Sequence, residues 1–366
     1  MTDASDPLRQ SFSLQAKANE KLGSPFSAHV LEAIGEQIEA GGPFRELLAP
    51  WADADLRQVI EDVVPLRILG GLQYLILDGC AEALAAQYPA RTTDPDWPAL
   101  RVALAATATE RFAELAEFIT SPPQTNEVRR SVCLFGGFLA VAGETGLPLR
   151  CLEVGSSAGL NLNWDAYRYD LGGLGAWGDP ASPLTLDADW TGGPPPLTPA
   201  QVEIVERAGC DRQPIDLADE RQALRLKAYV WPDQLDRLAR LEAAIGVARR
   251  RPGLVEHADA AEWAAVRAMP RDGAATVLFH SWIWQYLPAA TQDALAQAIA
   301  RAGEAATPSA PFAWLRMEPD LNQRNWPAFV RLTQWPGGHE RVLAQVHPHG
   351  AAVNWLETAT KAGEAR

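Results

Sequence analysis

Cysteine is scarce in this chain, with four in 366 residues, at Cys80, Cys133, Cys151 and Cys210. None of them makes the C-x-x-C spacing used by structural zinc and dithiol redox sites, so neither organises the fold. Cys133 and Cys151 lie in apolar runs and read as buried, reduced thiols. Positive charge is also in short supply, 32 lysines and arginines against 46 aspartates and glutamates, for a formal net charge of -14. A surface that grips a nucleic-acid backbone needs clustered cations to displace counterions. The expected partner is therefore a small-molecule or protein substrate, with no nucleic acid. No apolar run reaches the roughly 18 residues that a membrane span requires. The opening Met1–Asp6 is acidic and polar, unlike a signal peptide. The expectation is a cytoplasmic chain with no membrane contact. No metal is expected either: His347 and His349 flank Pro348 and precede Gly350, which marks a turn, and no third ligand is apparent.

What is present suits a globular protein of two domains: 47% of residues are hydrophobic and 21% charged. Residues 1–147 read as an all-helical N-terminal cap domain. Apolar spacing predicts helices over Phe26–Ala40, Leu66–Gln87, Leu100–Ile119 and Asn126–Glu144, the last stopped by Gly146. The pattern changes at Leu149. Arg150–Val154 reads as a buried strand, Ala158–Tyr169 as a helix, and Asp233–Arg249 as an amphipathic helix. Strands follow at Leu254–His257, Ala275–Phe279 and Phe312–Met317, with a helix at Pro288–Ala302. Arg341–Val346 and Ala351–Leu356 form a closing hairpin. The stretch near 172–230, rich in Gly and Pro at its start, reads as an irregular insertion with a strand at Leu184–Leu186. Alternating strands and helices give an α/β fold with a mostly parallel sheet, and the hairpin adds an antiparallel edge. Residues 148–366 are thus expected to form a Rossmann-like α/β domain.

The chemistry points to the loop Glu153-Val154-Gly155-Ser156-Ser157-Ala158-Gly159. Ligands of open parallel sheets bind where strands end and helices begin. Gly155 and Gly159 allow a tight turn, and the helix expected after them would offer unpaired N–H groups. The spacing is not the G-x-G-x-x-G of dinucleotide sites, nor does it end in the Lys-Ser/Thr of a phosphate-binding loop. Glu153 would repel a pyrophosphate but suits a cationic ligand, and S-adenosylmethionine carries both a sulfonium and an amino group. Methyltransferases of the Rossmann type carry this acidic-x-Gly-x-x-x-Gly pattern on their first strand. A plain strand–turn–helix is the alternative. Asp259, beside Ala260, falls where an Asp meets the adenine amino group, or else it caps a helix. Asp170, Asp187 and Asp216 are candidates for the acidic residue that holds the ribose. His280, with Ser281 and Trp282 behind it, follows a strand where such enzymes place residues that line the substrate pocket; Ser281 and Trp282 are expected there, and His280 could act as general base or simply pack.

The same loop also spells G-x-S-x-G, the nucleophile turn of serine hydrolases, with Ser157, Asp259 and His280 or His339 in a workable order. Helices precede it, where a hydrolase would place several strands. A third reading is a non-catalytic ligand-binding or interaction protein on the same fold.

The chain as a whole resembles a bacterial family known as domain of unknown function 2332, from about Ser11 to the final hairpin. The resemblance rests on Leu22–Pro25, Pro123–Ser131, Glu153–Leu162 with Asp165–Tyr169, Ala208–Asp216, Val230–Arg237, and Phe279–Ser281 with Gln285–Leu287. It implies a methyltransferase-like fold with a helical N-terminal extension. Ser156 stands where Ala or Cys is usual, and Ala258 where Gly is usual. With this resemblance, Ser156, Ser157 and Asn161 join the expected cofactor-binding residues. Arg129 or Arg130 would pair with the methionine carboxylate. Asn126 would line the substrate pocket or cap its helix. Gln234 and Arg237 share a helix face with Arg240, and would line that pocket or face solvent.

Overall fold

The computed structural model describes residues 6–251 and 254–357, with Leu254 described in its backbone alone. It divides into two compact units, Met1–Thr125 with Ala218–Glu242, and Asn126–Leu217 with Ala243–Arg366. The boundary expected near residue 147 differs at two places: the last helix of the N-terminal stretch belongs with the sheet, and a later helical segment belongs with the helices.

The helical unit begins with α1 (Pro7–Lys21), α2 (Pro25–Glu39), α3 (Pro43–Leu47), α4 (Leu56–Glu61), α5 (Val64–Leu77), α6 (Glu82–Ala85), α7 (Trp97–Glu110) and α8 (Phe112–Phe118). Proline opens α1, α2 and α3, where a missing N–H is harmless. Phe12, Leu31, Ile34, Phe44, Leu72 and Leu104 meet in its core. Two expected helices are each broken in two. Leu66–Gln87 stops at Leu77, before a left-handed Gly79, and Leu100–Ile119 is interrupted at Arg111, whose backbone leaves the helical region. Apolar spacing runs through both breaks, because the short helices on either side bury the same side of the chain.

The second unit opens with α9 (Ser131–Thr145), which Gly146 ends in the left-handed region as expected. Its strands are β1 (Leu149–Val154), β2 (Arg168–Asp170), β3 (Ala176–Trp177), β4 (Thr185–Asp187), β5 (Asp189–Gly192), β6 (Ile204–Asp211), β7 (Leu254–His257), β8 (Ala275–Ser281), β9 (Phe312–Pro319), β10 (Ala328–Trp335), β11 (His339–Val346) and β12 (Ala352–Trp355). The later helices of the chain are α10 (Glu220–Ala228), α11 (Leu235–Arg250), α12 (Ala260–Arg267) and α13 (Ala289–Glu304). Nine strands form one sheet in the order β5-β12-β11-β10-β9-β8-β1-β6-β7, and β3-β2-β4 form a small second sheet. The architecture is mixed α/β: a helical N-terminal region, then a large, mostly parallel sheet that carries antiparallel strands. From β7 through β6, β1 and β8 to β9 all neighbours are parallel. β10, β11 and β12 then run as an antiparallel meander, which contains the expected closing hairpin.

The chain leaves β1 for β6 and β7 on one side, then returns to β8 and β9 on the other. The strand order therefore reverses at β1, and the crevice of such a sheet opens at the C-terminal ends of β1 and its neighbours. One face of the sheet is covered by α12 and α13, with Leu152, Val154, Ala208, Leu278 and Phe312 packed against Trp263, Leu295 and Ile299. On the other face lies α9. Phe138 stacks on Trp164 at 4.4 Å and meets Phe279 edge-on at 5.0 Å. Gly137 brings the helix so close that a Cβ there would sit 2.5 Å from Leu315.

Two readings are corrected. Ala158–Tyr169 is not a helix: it is a turn, a 3-10 segment at Asn161–Ala166, and β2. The stretch near 172–230 is not irregular throughout, since β6 lies within it and is the neighbour of β1.

Gly137→Ala is expected to lower stability by about 1–3 kcal/mol through overpacking. The urea midpoint checks this, with Gly173→Ala as control; a Cβ at Gly173 meets nothing within 4 Å, so its change should stay within about 0.5 kcal/mol.

Candidate functional site

The turn after β1 is tied to β6 by its own backbone. The Gly155 and Ser156 N–H groups both donate to the Cys210 carbonyl, at 2.9 and 3.0 Å. The Ser157 N–H donates to Asp211 Oδ2 at 2.8 Å, and the Gly159 N–H to the Ser156 carbonyl. The Leu160 N–H donates to Asn126 Oδ1 at 2.9 Å. Five donors expected to face a ligand are thus taken within the protein, and no long helix follows to supply others. This loop is not an anion cradle. Gly155, Ser157 and Gly159 have φ of 70, 53 and 69°, which explains both glycines and makes Ser157 a strained position. A Cβ on Gly155 would lie 2.6 Å from Ile283, and one on Gly209 would collide with the Ser156 hydroxyl. Both glycines therefore serve close packing of the loop.

Glu153 projects from the tip of β1, opposite Gly209 of β6 and Phe279 of β8. It is 2% exposed. Asn161, whose Oδ1 takes the Ser131 hydroxyl at 2.7 Å, lies beside its carboxyl. Its Oε2 has no hydrogen-bond partner, and it joins no ion pair among the described residues. Burial raises its pKa well above the ordinary value, and the nearby Asp211 charge adds to the rise. Arg130, Asn161 and Ser156 pull the other way without offsetting it. Ser157 Oγ is likewise buried and unpartnered. No histidine bonds it, so the pairing that a serine nucleophile needs is not formed here.

His280 is fully buried at the end of β8. Its Nδ1 contacts Glu318 Oε1 at 2.6 Å, and its Nε2 accepts from Trp314 Nε1 at 3.0 Å. Both ring nitrogens are thus engaged within the protein. Arg129 donates to the Asp187 carbonyl and carboxylate, so it holds β4 and does not wait for a ligand. Arg130 donates to the carbonyls of Pro348 and Ser281 and lies over the Trp282 ring at 5.8 Å. The Asn126 bond to Leu160 also rules out a helix-capping role; a 3-10 turn, Val128–Arg130, stands where that helix was expected to begin. Asp259 Oδ1 accepts from the N–H groups of Ala261 and Glu262, and so caps α12 just ahead of Ala260. His347 and His349 sit in the turn between β11 and β12.

Asp211 escaped the sequence reading. It stands at the tip of β6 beside β1, and its two oxygens accept from Ser157 and Gln213. It is Asp211, and not the expected Asp170, Asp187 or Asp216, that stands at the end of a strand next to β1. Asp170 and Asp187 lie in the small sheet, and Asp216 beyond the strand end. Gln234 and Arg237 belong to the helical unit, where they hydrogen-bond each other at 3.0 Å. Nearby, Asp233 accepts from the hydroxyls of Ser24 and Ser27 and from the Phe26 N–H at the start of α2. Two widely separated stretches, Leu22–Pro25 and Val230–Arg237, thus meet in one helix cap.

Glu153 makes a signed prediction. Its pKa is raised in the fold, so as pH climbs past the ordinary value of 4.5 the unfolded chain ionises while the folded chain holds its proton. Stability therefore falls with rising pH until the raised folded pKa is passed, and is fully restored only below the unfolded value. Glu153→Gln removes this effect. Thermal melts should show the variant gaining on the wild type as pH rises from about 4 to 7, whereas a constant gap would contradict the assignment.

Among the described residues no helix is long and apolar enough to cross a membrane, and no group of three or more His, Cys, Asp and Glu could hold a metal ion. No curated protein matches the chain. A family model described as an uncharacterized protein conserved in bacteria matches residues 9–355. That match spans the helical unit, the β1 turn and the strand ends around it, and the chain therefore belongs to the family of domain of unknown function 2332.

Proposed function

We propose that the second unit binds S-adenosylmethionine at the C-terminal ends of β1, β6 and β8, and that the protein transfers its methyl group to a small molecule or protein. The observation that carries this reading is the Glu153 carboxyl, buried at the point where the strand order reverses, with one oxygen facing no donor. A buried carboxyl in that state is costly. A ligand whose end carries an ammonium and a sulfonium supplies the missing partner. Numbered along the chain, the parallel strands from β7 to β9 stand in the order 3-2-1-4-5, which is that of the Rossmann sheet and supports the finer fold assignment.

The residues divide the work as follows. Glu153, with Asn161 behind it, takes the cationic end beside Gly155, Ser156, Ser157 and Gly159. Asp211, with lone pairs left on both oxygens, suits the ribose hydroxyls. Asp259 keeps Oδ2 for the adenine amino group while Oδ1 caps α12. When bound, S-adenosylmethionine supplies an electrophilic methyl. The chain's own part is to hold the acceptor in line and to keep water out. His280 has no role as base in this scheme.

Isothermal titration tests the reading. Wild type is expected to bind S-adenosylmethionine, and Glu153→Gln to bind at least about tenfold more weakly, or roughly 1.4 kcal/mol. Absence of binding, or equal affinity in the variant, would refute it.

A further inference from the structure

A second orphaned carboxyl lies along the same edge of the sheet. Glu318 stands near the end of β9. The His280 Nε2 accepts from an indole N–H, which can only donate, so the neutral ring carries its proton on Nδ1 and donates it to Glu318 Oε1 at 2.6 Å. The Ile283 N–H donates to the same oxygen at 3.1 Å. Trp282, with φ of 60° and its N–H on the Met317 carbonyl, makes the turn that aims this amide. Two donors thus fix Oε1, and Oε2 is left buried with no partner among the described residues. The same turn carries Gln285, whose Oε1 is also buried and unpartnered. A neutral imidazole does not cancel the carboxylate charge. Arg316 lies close enough to feel that charge, but its guanidinium donates to Glu340 and Thr333 and lies over Trp314 at 3.8 Å. Trp284 and Trp314 pack on His280, with ring centroids 5.7 and 5.9 Å away.

We propose that Glu318 and Gln285 form a binding site for a protonated amine. Two unfilled acceptors, one of them charged, match an ammonium group with several donors, and neighbouring indole faces favour a cation over a neutral group. His280 is a positioning residue: one ring nitrogen donates to Glu318 and the other accepts from Trp314, so it acts on the amine only through Glu318. The methyl-transfer reading makes this amine part of the acceptor; that identification rests on that reading, and the amine site does not.

The test is isothermal titration of the full chain with phenethylamine and with its neutral counterpart, 2-phenylethanol. The amine should bind at least about tenfold more tightly than the alcohol, and Glu318→Gln should erase the difference. His280→Asn, which keeps a donor toward Glu318, should retain more affinity than His280→Leu. Should Glu318→Gln melt far below wild type, Gln285→Leu takes its place, with the same loss expected. Equal binding of amine and alcohol, no binding of either, or unchanged affinity in the folded variants would overturn the site. S-adenosylmethionine is titrated into the same preparations. If it binds and the amine does not, the amine site alone fails. If the amine binds and it does not, the methyl-transfer reading fails and the amine site stands.

Discussion

The second unit is organised around a carboxyl that the fold buries without an ion pair among the described residues. Glu153 is the penultimate residue of β1, a strand buried along its whole length, and one of its carboxyl oxygens is left unmatched. Ser131 orients Asn161, which lies beside the carboxyl, and Gly209 clears space for the Ser156 hydroxyl, which bonds the Glu153 carbonyl. Burial of this kind opposes ionisation. A fold that carries such a residue on its central strand loses stability there, and a cationic ligand is the simplest reason for it to persist.

Rigidity in the turn follows from the same arrangement. The N–H groups that a phosphate-binding loop would leave open are bonded to Cys210, Asp211, Ser156 and Asn126, so recognition here depends on side chains. Polar strand residues elsewhere are treated in the same manner. Arg150 of β1 is 2% exposed and bonds Glu206 of β6, Thr276 of β8 and two carbonyls. Arg207 and Arg251 converge on Asp165. Buried charge is tolerated wherever it is paired, which sets Glu153 and Glu318 apart.

The parallel core of the sheet was legible in the sequence because its strands are short apolar runs between turn signals: β1, β7, β8 and β9 all stand where they were expected. β6 was not legible. Glu206, Arg207 and Gly209 interrupt its apolar pattern, and only the partners of the two charges, Arg150 on β1 and Asp165 in the 3-10 segment, show why a strand can carry them. β10 alternates cleanly, with Ala328, Val330 and Leu332 buried, and its period of two was there to be read. The helix expected after Gly159 failed for a local reason: the apolar residues that made it look helical, Leu162, Trp164 and Tyr167, bury into the core from a 3-10 turn. In the site, Glu153 and the loop were readable from spacing. Asp211, the engagement of His280 and the role of Glu318 were not, since each depends on which strands are neighbours. Gln234 and Arg237 looked like a pocket face because helical spacing gives a shared side without saying what that side meets.

The central claim is that Glu153 is held toward its protonated form until a cation arrives. The most direct measurement is the number of protons released when S-adenosylmethionine binds, obtained by titration calorimetry in buffers of different ionisation enthalpy at one pH. Wild type should release more protons than Glu153→Gln. Equal release from both, with binding intact, would show that the carboxyl takes no part and would contradict the account.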